Sequence, residues 1–150
     1  YSLKYIKHAL FDEGEIELSP SESFNDIGLD WGDSTNLDKE RAYEPNEGWV
    51  WDGNKNIEGI LWGGCVESVD EMLRHGVQIP TLEQFENIVL MMETSEEIPS
   101  ADYVMRFFRA LGERGILVRV KGLVVGRAKA QEFHMLRTPE ELATYRKKQQ

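Results

Sequence analysis

The sequence contains little cysteine, little histidine and no long apolar segment. Its one cysteine, Cys65, excludes an internal disulfide and fits a reducing compartment, so we expect a cytoplasmic protein. Three scattered histidines and one cysteine offer no closely spaced ligand set, so we expect no metal. No apolar run approaches the roughly 18 residues of a membrane span, and no signal-peptide pattern opens the chain. A membrane partner is therefore not expected.

Basic side chains are also scarce, above all in the first part of the chain. The sequence has 27 acidic and 17 basic residues, a net charge of −10. Residues 1–60 hold 14 of the acidic and five of the basic ones, a net charge of −9. Because such a surface repels phosphate backbones and anionic headgroups, we expect no nucleic-acid partner.

Length and periodicity predict the class of fold. A chain of 150 residues that is 41% hydrophobic has the size of one globular domain, so we predict a single domain over 1–150. Because the chain begins at Tyr1 and stops at Gln150 within a predicted helix, we expect a fragment of a longer protein. Apolar periodicity predicts helices over 2–10, 65–75, 101–111 and from 139, and buried strands around 58, 85–92 and 123–126. Their alternation predicts an α/β domain with a mainly parallel central sheet and some antiparallel strands.

One carboxylate stands out because it lies within an apolar segment, Ile57-Glu58-Gly59-Ile60-Leu61-Trp62-Gly63-Gly64-Cys65. If this segment is a strand, Glu58 shares a face with Ile60 and Trp62. An ionised carboxylate in apolar surroundings needs a partner. The partner could be a lysine or arginine in a structural ion pair, which the pattern by itself favours. The alternative is catalytic, since a fixed acid can orient an imidazole for a hydroxyl nucleophile.

Several segments, taken in order along the chain, resemble the carboxy-terminal domain of the LD-carboxypeptidase family, and more narrowly its branch of microcin C immunity peptidases. The segments are Ile57-Glu58-Gly59, Leu61-Trp62-Gly63-Gly64-Cys65, Ile79-Pro80, Met92-Glu93-Thr94-Ser95-Glu96-Glu97 with Pro99-Ser100, and Val120-Lys121-Gly122-Leu123-Val124-Val125-Gly126-Arg127. Leu29-Asp30-Trp31 and Gly48-Trp49 also resemble this branch. The resemblance therefore covers nearly the whole chain.

The resemblance implies a cytoplasmic two-domain serine peptidase that needs no cofactor, with a swivelling β/β/α arrangement in its carboxy-terminal domain. Such an enzyme hydrolyses an amide near a carboxyl terminus, in a murein tetrapeptide or a peptidyl nucleotide, by a Ser-His-Glu triad. Motif matching assigns the glutamate to Glu58. The serine belongs to an amino-terminal domain, and the family's glycine-histidine step does not follow Gly126 here. We therefore expect the fragment to be inactive alone and to partner its missing amino-terminal domain, within a homodimer.

The resemblance leaves a second function open, in which the domain is a non-catalytic association or dimerisation module. Other residues also have two interpretations. Gly63-Gly64 before a helix could bring main-chain amides to a substrate carboxylate, or could only allow close strand-to-helix packing. Trp31, with two neighbouring tryptophans, could stack on a substrate's planar group or build a small satellite core.

The remaining polar candidates are expected to be structural. His8 and His75 lie on predicted helices and are expected at the surface, and His134 lacks a preceding glycine and is not expected to be catalytic. The acids Glu93, Glu96 and Glu97 are interpreted as a solvated capping loop rather than a glycosidase pair.

Overall fold

The computed structural model describes residues 1–53, 55–131 and 136–149. These form two units, Tyr1–Gly53 and Asn54–Gln150. Among the described residues, every helix falls short of the length or the apolar character needed to cross a bilayer.

The first unit consists of one helix and a long irregular segment with short strands, as the sequence predicts. Its elements are α1 (Ser2–Phe11), β1 (Ser23–Phe24) and β2 (Glu44–Pro45), and the two strands pair antiparallel. None of the residues of α1 is buried, although its apolar side chains follow a helical period. The tryptophans form no satellite core either, since Trp31 is 86% exposed and Trp51 80% exposed.

The second unit carries the central sheet and most of the helices. Its elements in chain order are β3 (Ile60–Cys65), α2 (Val66–His75), α3 (Leu82–Phe85), β4 (Ile88–Glu93), α4 (Ala101–Glu113), β5 (Gly122–Val125) and α5 (Pro139–Gln149). The strands run parallel in the order β3-β4-β5, so β4 is central. The predicted α/β class with a mainly parallel sheet is confirmed.

The core lies on one face of this sheet. Alternate residues of β4, namely Ile88, Leu90 and Met92, are buried against apolar side chains of α2 and α4. Val89 and Met91 point to the other face and are only half buried. The strand that the sequence predicts as buried at 85–92 is therefore buried on one face only. β5 was also expected to be buried, but its side chains are largely exposed because it is an edge strand.

Local capping signals in the sequence are confirmed where helices begin and end. The Ser100 hydroxyl accepts a hydrogen bond from the amide of Tyr103 and caps α4. Thr138 and Glu141 form reciprocal hydrogen bonds at the start of α5. Gly76 ends α2 with a positive φ of 66°, which glycine adopts without strain.

Candidate functional site

Glu58 lies two residues before β3, at the amino-terminal edge of the sheet. The sequence placed it inside the strand, and this is wrong, because regular pairing with β4 begins only at Ile60 and Ile88. Its side chain is exposed rather than enclosed by apolar neighbours. The cost of burying a charge, which motivated the search for a partner, therefore does not arise here.

The structural ion pair expected for Glu58 is not found within residues 1–53, 55–131 and 136–149. Ion pairs in these residues include His8 with Asp12, Arg74 with Asp70, and His75 with Glu71. No hydrogen bond of the Glu58 carboxylate occurs in the same residues. This carboxylate is therefore free to accept a hydrogen bond from a group outside them.

The main chain around Glu58 is held more firmly than its side chain. The amide of Ile60 donates a hydrogen bond of 2.8 Å to the carbonyl of Asn87, just before β4. A Cβ at Gly59 would lie 2.8 Å from that carbonyl oxygen and 3.1 Å from Cγ2 of Val89. Only glycine allows the chain after Glu58 to approach the central strand so closely.

Gly63 and Gly64 lie within β3. The sequence suggested instead that they form a turn before the helix. Cys65 is the N-cap of α2, so strand and helix follow directly. A Cβ at Gly63 would fall 1.9 Å from the carbonyl oxygen of Met91, and φ there is 139°. This close approach is to the neighbouring strand, whereas the sequence suggested packing between strand and helix, and the substrate-binding role of Gly63 and Gly64 stays a prediction.

A polar cluster that the sequence did not reveal lies at the other end of β3 and β4. Glu67, in the first turn of α2, accepts hydrogen bonds from the Ser95 hydroxyl at 2.6 Å and from the Cys65 thiol at 3.0 Å. The Ser95 amide also donates to both carboxylate oxygens, at 3.3 and 3.4 Å. Cys65 and Glu93 are paired in register, which places Ser95 beside α2. The one feature of the sequence that could have indicated this cluster is that polar residues follow both of the predicted parallel strands.

The hydrogen bonds to Glu67 determine its protonation. Burial raises the pKa of this carboxyl, but the hydrogen bonds from Ser95 and Cys65 outweigh burial and hold the pKa below its ordinary value of 4.5. A lowered pKa means that the folded state binds fewer protons, so the contact stabilises the fold above about pH 4.5. That stabilisation is lost as the pH falls through the folded-state pKa.

Replacing Ser95 tests this contact. We expect Ser95→Ala to lower the free energy of unfolding by about 1 to 2 kcal/mol at pH 7, because a hydroxyl bond to a carboxylate is lost. The difference from the wild type should stay constant down to about pH 5 and shrink towards pH 3. Urea unfolding at several pH values measures it, and a difference that persists unchanged at pH 3 would contradict the assignment.

A cleft of about 370 Å³ lies beside this cluster, where β4 and β5 end and α4 begins. It is lined mainly by apolar side chains, among them Met92, Val104 and Phe108. β3 is six residues long, so Glu58 and this cleft lie roughly 20 Å apart, at opposite ends of the parallel strands. The cleft and Glu58 therefore do not belong to one site on the second unit.

The histidines of the described residues do not approach Glu58 by hydrogen bond or ion pair. His75 lies at the surface in the last turn of α2, as expected, and contacts Glu71. His8 is half exposed on α1, where it pairs with Asp12. His134 lies outside the described residues. Within the described ranges, no group of three or more His, Cys, Asp or Glu side chains could hold a metal ion.

Comparison with protein families gives a match over most of the second unit. The LD-carboxypeptidase C-terminal domain matches residues 58–149, and the match begins at Glu58 itself. The chain belongs to the LD-carboxypeptidase family. The resemblance inferred from the ordered segments is thus confirmed, including its assignment to the carboxy-terminal domain.

Two solved structures show the same fold as this LD-carboxypeptidase domain. An MccF-like protein from Streptococcus pneumoniae, in complex with AMP, is 25% identical and has a TM-score of 0.68. MccF in complex with glutamyl sulfamoyl guanosine is 18% identical with a TM-score of 0.67. Both alignments cover 99% of this chain and 44% of the other, so the chain spans less than half the length of these proteins. A comparison with curated proteins found no match.

Proposed function

We propose that this chain is the carboxy-terminal domain of a two-domain cytoplasmic serine carboxypeptidase, in which Glu58 is the acid of a Ser-His-Glu triad. The enzyme hydrolyses an amide bond near a carboxyl terminus. The observation that carries the proposal is the family match, which starts at Glu58, together with the exposed and unpaired state of that carboxylate in the described residues. Both oxygens of an exposed carboxylate with no ion pair are open to accept a hydrogen bond from a catalytic imidazole.

The chemistry assigned to Glu58 follows from its position and charge. Its carboxylate accepts a hydrogen bond from the imidazole N–H, which fixes the tautomer that removes the proton from the serine. The same carboxylate stabilises the imidazolium that forms as the serine attacks the amide carbonyl. An acyl-enzyme then forms and is hydrolysed by water. No cofactor takes part in this route.

The serine and the histidine are assigned to parts of the enzyme outside this chain. The amino-terminal domain supplies the nucleophile. The isolated chain is accordingly inactive, since a triad reduced to its acid retains only binding contributions. Its partners are the amino-terminal domain and a second copy of the enzyme.

Nucleotide-bearing substrates are supported over murein tetrapeptides by two observations. The similar solved proteins were found with AMP and with glutamyl sulfamoyl guanosine. In the first unit, Trp31 is 86% exposed, so its ring is available to stack on a planar group. The role proposed for Trp31 is therefore to stack on the nucleobase.

Substrate comparison with Trp31 variants tests this assignment. The two-domain protein should hydrolyse an aminoacyl or peptidyl nucleotide and should act poorly on a murein tetrapeptide. Trp31→Ala should raise KM for the nucleotide substrate about tenfold or more, since stacking on a base contributes about 1 to 3 kcal/mol. Leu37→Ala, which removes another exposed apolar side chain of the first unit, serves as the control and should change KM little. Equal, small effects of Trp31→Ala on both substrates would overturn the stacking role.

A further inference from the structure

We infer that Gly59 is a positioning residue for Glu58, an inference that rests on the catalytic role proposed above for that carboxylate. A Cβ at Gly59 would lie 2.8 Å from the carbonyl oxygen of Asn87 and 3.3 Å from the amide nitrogen of Val89. Both are main-chain atoms, which cannot rotate out of the way as the end of a side chain can. Any side chain at position 59 would therefore push the two backbones apart.

The carbonyl of Asn87 is held in place by the short helix that precedes it. The amide of Asn87 donates a hydrogen bond of 3.1 Å to the carbonyl of Gln84 in α3. That helix begins with a capping box formed by Thr81 and Gln84. Its last residue, Phe85, is 1% exposed and packs edge to face on Trp62 of β3, with ring centroids 5.4 Å apart. Asn87 is thus anchored through α3 to the core of the second unit.

The segment that contains Glu58 is the side of this contact that can move. Glu58 is exposed and lies before the regular pairing of β3 with β4 begins. Two residues later, the amide of Ile60 donates its hydrogen bond of 2.8 Å to the carbonyl of Asn87. A methyl group at position 59 would press against this same carbonyl. The chain before β3 would then lift away from the central strand and carry Glu58 with it.

This displacement matters because the Glu58 carboxylate makes no hydrogen bond or ion pair within the described residues. In this part of the enzyme, its location is therefore set by its main chain. A triad acid must hold its imidazole to within about 0.5 Å of the productive position. Gly59 acts through Glu58, because it allows the main chain of the acid to stay against a fixed carbonyl.

The substitution Gly59→Ala in the two-domain protein tests the inference. The φ angle of Gly59 lies outside the left-handed region, so alanine suits the backbone and its main effect is the overlap with Asn87. We expect kcat per folded enzyme to fall about a hundredfold with KM little changed, since a shift of about 1 Å can cost that much. Gly112→Ala is the matched control, because a Cβ there would meet only Leu117 Cδ1 at an ordinary 3.8 Å. It should keep the kcat of the wild type.

A double-mutant cycle with Glu58→Gln shows whether Gly59 acts through the carboxylate. If it does, Gly59→Ala should lower kcat by less than about threefold in the Glu58→Gln background, because no catalytic carboxylate is left to misplace. Val69→Ala is the control for a purely structural loss, since it opens a cavity at a core residue of α2 that is 2% exposed. It should lower stability and leave kcat per folded enzyme unchanged in both backgrounds.

The outcomes separate this inference from the proposed function. If Glu58→Gln retains normal turnover, the proposed catalytic role fails and the positioning role fails with it. If Glu58→Gln loses turnover but Gly59→Ala keeps it, or lowers kcat equally in both backgrounds, only the positioning role is wrong. Should Gly59→Ala not fold, Phe85→Leu decides in the same cycle: it loosens the helix that holds Asn87 and should lower kcat about tenfold when Glu58 is present. Unchanged kcat in that variant would overturn the inference.

Discussion

Glu58→Gln in the two-domain protein should lower kcat by about three to four orders of magnitude and leave its stability unchanged. A glutamine amide cannot stabilise an imidazolium as a carboxylate does, and it can hold the imidazole in the wrong tautomer, which is the known cost of such a change in a serine triad. Stability should not change, because the Glu58 side chain is exposed and makes no hydrogen bond or ion pair within the described residues.

Steady-state kinetics on the peptidyl nucleotide, with thermal unfolding of the same samples, measures both effects. Glu96→Gln is the control, because Glu96 is another exposed acid of the second unit, in the loop between β4 and α4. It should match the wild type in both assays. Normal turnover of Glu58→Gln would remove this residue from the mechanism, and the non-catalytic association module would then be the better interpretation.

Gly63→Ala should have the largest effect on folding of any single methyl addition in the sheet. The new Cβ would lie 1.9 Å from the carbonyl oxygen of Met91, inside the central strand, and alanine would also have to adopt a φ of 139°. Overpacking in a rigid core typically costs about 1 to 3 kcal/mol, and an unfavourable φ adds about 1 to 2. We expect a loss of about 4 kcal/mol, a large share of the stability of an ordinary domain.

Gly64→Ala separates the two contributions. Its φ is 147°, close to that of Gly63, but a Cβ there meets nothing within 4 Å. It should therefore lose only the backbone contribution, about 1 to 2 kcal/mol. Denaturant unfolding of both variants gives the difference directly, and equal losses would show that the approach to Met91 is less close than described.

Much of the fold could be predicted because its signals are local. Ser100, Thr138 and Gly76 mark helix ends through hydrogen bonds and φ angles within a few residues of each. Apolar periodicity likewise depends only on neighbouring positions. Domain organisation is not such a local signal, and the prediction of a single domain over 1–150 stays a prediction.

The predictions that were wrong concern residues whose burial depends on contacts with segments far away in the sequence. β5 is apolar enough to be a central strand, yet it lies at the edge and its side chains are exposed. Trp31 and Trp51 are large aromatics that composition alone would place in a core, and they are exposed as well. Composition indicates which residues can be buried, but not which faces find a partner.

The candidate site shows the same division. Glu58 was singled out as a carboxylate in an apolar segment, but the assumed burial and an ion pair are both absent from the described residues, so its proposed role rests on the ordered motifs around it. The Glu67 cluster was missed because its members, Cys65 and Ser95, are 30 positions apart in the chain and meet only when β3 and β4 pair.

The sequence by itself determined the kind and order of the elements, the helix caps and the family, because these depend on short-range preferences and on an ordered set of motifs. Only the tertiary structure decided that Glu58 stands exposed before the edge strand, that Gly63 touches the backbone of β4, and that Gly59 lies against the carbonyl of Asn87. The reason is physical: the parallel pairing of strands about 30 residues apart sets which backbones approach each other, and no local pattern encodes that distance.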